Sequence, residues 1–257
     1  MARWNAFAYT SEYSFDAVRL KRHWKRLHAG DQEPLPQEAK VLSAWALMHS
    51  GQFEKAADAG LKLGGAGTTV TNKATCVYAN YLEPKEKTRL ELFMQVAQRA
   101  AEQARAEPGN ANAHYWQAYA LGRYSQGISV AKALAQGIGS KIKQALETAI
   151  RLQPLHADAH IALGTFHAEV IDKVGALIGS MTYGAKKDSS LRLFDQALRL
   201  VPESPIARIE YANALVMLEG DARMDEATRL YEQAAATKAL DAVQRLDVEM
   251  ALAELAD

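Results

Sequence analysis

Ala149-Ile-Arg-Leu-Gln-Pro154-Leu-His-Ala157-Asp-Ala159-His160 decides the fold of this chain. Its first half is nearly repeated by Ala197-Leu-Arg-Leu-Val-Pro202. Its second half recurs as Pro108-x-x-Ala111-x-Ala113-His114 and, with more change, as Pro202-x-x-Pro205-x-Ala207-Arg208. Proline lacks the backbone donor and clashes with the preceding turn, so each of these prolines ends a helix. The two residues after it are free to turn before an alanine-rich helix restarts. Helix, stop and new helix at regular spacing are the signature of a helical solenoid. No stretch sustains the two-residue alternation of a half-buried strand, so the expected fold class is all-α.

The prolines define three units: a helix over 111–124 paired with 140–153, 157–170 with 189–201, and 205–219 with 223–237. Toward the N-terminus, apolar periodicity predicts helices over 14–29, 37–50, 53–63, 70–82 and 85–107, with 64–69 as a flexible connection. A last helix over 241–256 sets Asp241, Asp247, Glu249 and Glu254 against Val243, Leu246, Met250, Leu252 and Leu255, the one-faced pattern that caps an open array. Residues 1–257 then form one superhelical domain: divergent repeats over 14–107, three proline-anchored repeats over 108–240, and a capping helix.

Composition narrows the function. The apolar fraction is 49%, the charged fraction 23% and the formal net charge zero, without the basic excess of a nucleic-acid binder. Cys76 stands alone, which excludes a disulfide framework within the chain and suits a reducing compartment. The first residues lack the apolar core of a signal peptide, and nothing approaches the roughly 20 apolar residues of a membrane span. The expectation is a cytoplasmic protein.

Leu163-Gly164 and His167 in a first helix, with Phe194, Ala197 and Pro202 in its partner, resemble the tetratricopeptide repeat (TPR). Ala227, Tyr231 and Ala234 fill the same slots one repeat on, and Gly51 and Ala56 an earlier one. The resemblance implies a right-handed α-solenoid of helix hairpins. The prolines stand 46 and 48 residues apart against about 34 in the family, so each hairpin carries an insertion, near 125–139 and 171–188. These paired insertions, with Asn110-Ala-Asn-Ala-His-Tyr-Trp116 and His160-Ile-Ala-Leu-Gly164, are similar to a narrower group. It comprises the regulator-of-microtubule-dynamics TPR family and the TPR component associated with TRAP transporters. Those relatives are membrane-anchored or periplasmic lipoproteins; their localisation and partners are not carried over.

By repeat register, Tyr115, Tyr119 and Arg123, then Ile161, Thr165 and Glu169, then Ile209, Asn213 and Met217 line the groove. Aromatics and arginine on a concave face suit peptide or small-molecule contacts. Tyr115, Tyr119, Arg123, Thr165, Glu169 and Asn213 are the candidate groove-binding residues. Slots that hold Lys, Asn and Arg in chaperone-tail clamps carry Tyr115, Tyr119, Asp158, Ala162, Ile206 and Glu210 here, which excludes that specificity. The inserts are apolar and glycine-spaced, so they are expected to fold over the groove. Ala176, Leu177, Ile178 and Met181 could instead form a self-association or membrane surface.

Other constellations are weaker. Gly179 to Lys186 only brushes against a phosphate-loop pattern, though Lys186, Lys187 and Arg192 near a helix start are a candidate anion contact. His156, His160 and His167 share helical spacing but lack partners for a metal set, and two of them fall in packing slots. No metal, cofactor or catalytic set is expected. The leading reading is a non-catalytic scaffold binding a peptide or partner-protein segment in its groove. The alternative is a binding protein for a small, largely apolar ligand enclosed by the two inserts.

Overall fold

The computed structural model describes residues 4–256, and those residues contain helices and turns but no strand. After α1 (Ala17–Leu27) come the hairpins α2 (Ala39–His49) with α3 (Phe53–Leu63), and α4 (Thr68–Tyr81) with α5 (Glu86–Ala106). The third hairpin opens with α6 (Ala111–Gln126), passes through the short α7 (Val130–Ala135) and returns along α8 (Ile138–Leu152). The fourth repeats that plan with α9 (Ala157–Val174), α10 (Ala176–Tyr183) and α11 (Lys187–Leu200). Then α12 (Pro205–Glu219) pairs with α13 (Met224–Ala235), and α14 (Ala242–Glu254) ends the array. The architecture is a TPR-like α-solenoid. No helix among the described residues is long and apolar enough to cross a membrane.

The recurring sequence element sets the same local geometry three times. Two residues after each anchoring proline stands an N-cap whose side chain accepts from a backbone N–H three residues on: Asn110 from Ala113, His156 from Ala159, Ser204 from Ala207. Such a bond satisfies one of the orphan donors at a helix start. Ala113, Ala159 and Ala207 are fully buried, as are Ala149 and Ala197 five residues before their prolines. Small side chains there let the helices of adjoining layers approach. Gly164 serves the same end, because a Cβ on it would stand 2.9 Å from the Phe194 ring.

Three features depart from expectation. The stretch 64–69 is ordered packing and not a flexible connection. Gly64–Gly67 is a single 3-10 turn, and a Cβ on Gly67 would lie 2.2 Å from the Gly60 carbonyl. Glycines there permit the close crossing of α3 and α4. The inserts are narrower than read from spacing, because α6 and α9 run on past their expected ends and the excess folds into α7 and α10.

The third departure is larger. α14 does not cap an open array with an acidic face. Asp241 and Asp247 are buried, and Ala242 and Leu246 join the core built by Trp24, Trp45 and Phe53 of the N-terminal hairpin. His49 Nδ1 lies 2.6 Å from Asp241 Oδ2, and the Tyr81 hydroxyl donates to Asp247 Oδ1 at 2.5 Å. The last helix thus packs back on the first repeats and the solenoid closes on itself. Its concave side becomes an interior.

Candidate ligand cavity

Inside this closed array lies a cavity of about 280 Å3. α6 contributes Tyr115, Trp116, Tyr119 and Arg123, and α9 contributes Asp158, Ile161, Thr165, Phe166 and Glu169. The insert helices α7 and α10 and the turn before α7 supply mainly apolar groups, Ile128, Val130, Ala133 and Leu134 from the first and the Tyr183 phenol from the second. Ser125, Gln126 and Lys173 line the cavity from the ends of α6 and α9. α8 adds Ile138, Ile142 and Leu146. Opposite elements bring the polar groups: Lys73 and Tyr81 on α4, Glu210 on α12 and Asp247 on α14. The lining is therefore amphipathic, with apolar groups from α7 and α8 and polar groups from α4, α12, α14 and the ends of α6 and α9.

Five of the six groove residues inferred from register, Tyr115, Tyr119, Arg123, Thr165 and Glu169, meet at this cavity. Asn213 does not, and that expectation is corrected. Its Oδ1 accepts from the Tyr231 hydroxyl of α13, while Ile209 packs with Ala234 and Ala251. α14 lies across that side of α12, so Ile206 and Glu210 form its concave edge instead. Tyr115 lines the cavity yet is buried, with its ring 4.8 Å from His156 and 4.9 Å from Trp116. Its surroundings make it a wall and not an exposed anchor.

Arg123 is engaged by the protein itself. Its Nη2 sits 2.6 Å from Glu210 Oε1, its guanidinium lies 5.3 Å from the Tyr119 ring centre, and the Thr165 hydroxyl donates to Glu210 Oε2 at 3.2 Å. Burial opposes its charge, but the neighbouring Tyr119 and the Glu210 carboxylate outweigh that and raise its pKa well above the usual value. Gln126 Nε2 donates to Glu169 Oε1 at 2.5 Å. Burial pushes Asp158 up to about 7, with the Asp31 charge adding to the effect. It lifts Tyr119 to about 12 and Asp247 to about 7. Desolvation disfavours the ionised form of an acid, which is the cause common to all three.

The candidate anion contact does not assemble. Lys187 Nζ is 2.8 Å from Glu219 Oε1 of α12, Arg192 turns to Ser189 Oγ at 3.4 Å, and Lys186 stands exposed with Asp188 in the first turn beyond it. The histidines are occupied with packing and capping: His160 Nε2 lies 3.0 Å from the Pro154 carbonyl. His156 Nδ1 accepts from the Ala159 N–H, so its Nε2–H donates to Asn112 Oδ1 at 2.9 Å. Burial lowers His156 to about 4, in keeping with this neutral ring.

Sequence reasoning missed a buried polar seam behind the cavity. Lys73 Nζ lies 2.7 Å from Asp31 Oδ2, His28 Nδ1 lies 2.8 Å from Asp31 Oδ1, and the Nε2 atoms of His28 and His49 are 3.2 Å apart. Asn112 Nδ2 donates to the Asp31 carbonyl at 3.0 Å and to Glu33 Oε2 at 2.6 Å. The seam joins the turn after α1 to α2, α4, α6 and, through Asp241, α14. One signal was present: α2 is apolar nearly all round, and such a helix is buried on every side, which an open terminal repeat would not provide.

A comparison with curated proteins gives no match. Among solved structures, the crystal structure of a thermophilic TPR protein from Thermus thermophilus superposes with a TM-score of 0.58 at 18% identity, covering 83% of this chain and 97% of that one. That likeness concerns the fold. The family model described as regulator of microtubule dynamics protein 1-3 matches residues 68–242, from the start of α4 to the start of α14, and so takes in both inserts and most of the cavity wall. The chain belongs to the regulator of microtubule dynamics protein 1-3 family.

Proposed function

We propose that the protein is a non-catalytic binding protein that holds a small, largely apolar ligand between its concave face and the two inserts. The observation that carries this is the amphipathic cavity bordered by both inserts. At about 280 Å3 it is close to the roughly 300 Å3 at which ligand pockets begin. A solenoid's concave side is its usual binding surface. Here an extended peptide finds few free partners, since Arg123 and Glu210 satisfy each other, as do Tyr81 and Asp247. A compact ligand with an apolar body and one polar end suits the lining better.

Binding of prodan, an environment-sensitive naphthalene dye, tests the proposal. Wild type should bind it with a blue-shifted emission, and a competing native ligand should displace it. Ala162→Trp, which fills the cavity from α9, should weaken binding by at least about tenfold, the loss of roughly 1.4 kcal/mol. Equal binding by a folded Ala162→Trp variant would place the dye elsewhere and defeat the proposal.

A further inference from the structure

We infer that the two insert helices form a docking face for an anionic lipid surface. The outer side of α10 presents Leu177 at 75%, Ile178 at 58% and Met181 at 80% exposure, while Gly179 and the half-buried Tyr183 turn inward. On α7, Val130 and Leu134 are also exposed at the cavity rim. Exposed apolar side chains of this size, clustered on a short helix, mark an interaction face more often than a solvated loop.

Both insert helices, α7 and α10, pack against α8. A Cβ on Gly139 would stand 2.8 Å from the Tyr183 ring, and one on Gly184 would stand 3.7 Å from Lys143 Nζ. Over 127–146 and 173–187 the chain has six lysines and no Asp or Glu. Lys143, Lys173 and Lys187 pair with Glu147, Glu169 and Glu219, which lie outside those segments. Lys132, Lys141 and Lys186 have no carboxylate partner among the described residues. Exposed apolar side chains on segments with this excess of lysine, with Asp172 and Asp188 at the edges of the second, complement negatively charged headgroups above a hydrocarbon layer. A protein partner would need an acidic rim around an apolar socket to match it. Docking this way would also bring the cavity's insert side to the membrane, although the docking itself does not depend on what the cavity holds.

Flotation with vesicles of phosphatidylcholine alone and of phosphatidylcholine with added phosphatidylserine tests the inference, using the full chain. Binding is expected only with phosphatidylserine present, falling as salt rises. The double variant Leu177→Asp, Met181→Asp should abolish it. Lys132→Gln, Lys141→Gln and Lys186→Gln should each lower the partition coefficient, by about fivefold per charge. All the changed residues are exposed, and circular dichroism of each variant reports folding. Absence of binding to anionic vesicles, or binding unaffected by the double variant, overturns the inference. So does a wild-type dimer that the same variant converts to monomer, since the face would then be an interface between copies of this chain.

Discussion

Replacing Asp247 with Asn should stabilise the protein at about pH 8 and change little at about pH 4. Asp247 is buried on α14, where it accepts the Tyr81 hydroxyl at 2.5 Å. Burial lifts its pKa from the usual 3.8 to about 7, the Tyr81 bond pulls the other way, and the Asp241, Asp158 and Glu210 charges add to the rise. Between those values the folded chain keeps a proton that the unfolded chain has released. The folded pKa is the higher one, so the group's contribution is full below about pH 4 and is lost as the pH climbs through about 7. A rise of about three units at 1.36 kcal/mol each makes the loss about 4 kcal/mol. Asparagine keeps the acceptor oxygen for Tyr81 and cannot ionise, so it escapes that loss. Urea denaturation followed by far-ultraviolet circular dichroism should give nearly coincident midpoints at about pH 4 and a widening gap in favour of Asn toward about pH 8. Glu33 and Asp158 shift upward as well, while His28 and His156 shift downward and act with the opposite sign. The difference between the two proteins removes the contributions of Glu33, His28 and His156, and leaves Asp247 together with its coupling to Asp158. A gap independent of pH, or an Asn variant less stable at about pH 8, would mean that α14 does not bury a protonated carboxyl against α4.

Two further changes test the fold. Ala149→Leu should destabilise by about 1–3 kcal/mol, because Ala149 is fully buried on α8 in the core shared by α5, α6 and α9; an unchanged thermal melt would contradict the repeat register. Lys73→Met should cost about 3–5 kcal/mol by leaving the Asp31 carboxylate buried beside His28 without its ammonium partner, and a melt like that of wild type would remove Lys73 from the seam.

The helices were legible because their signals are local. Prolines, buried alanines and polar N-caps act within a few residues, so nearly every span and both insertions could be read along the chain. Ring closure was not legible. It rests on pairs such as His49 with Asp241 and Tyr81 with Asp247, separated by 192 and 166 residues. Acids on a terminal helix look solvated when read alone, and nothing nearby in sequence marks Asp241 or Asp247 as buried. The cavity was half legible for the same reason. Its α6 and α9 walls follow the repeat register, whereas Lys73, Glu210 and Asp247 arrive from elements that only the closed shape brings together. Asn213 failed because register predicts the concave face of an uncovered helix, and α14 covers α12.

If the closed array holds a small ligand under its inserts, that ligand should survive purification. Native mass spectrometry of the purified wild-type protein tests it most directly. The expected spectrum carries a small-molecule adduct that is lost on denaturation and absent from a folded Ala162→Trp variant. Wild-type protein at its bare mass that also takes up no prodan, or an adduct that Ala162→Trp retains, would contradict it.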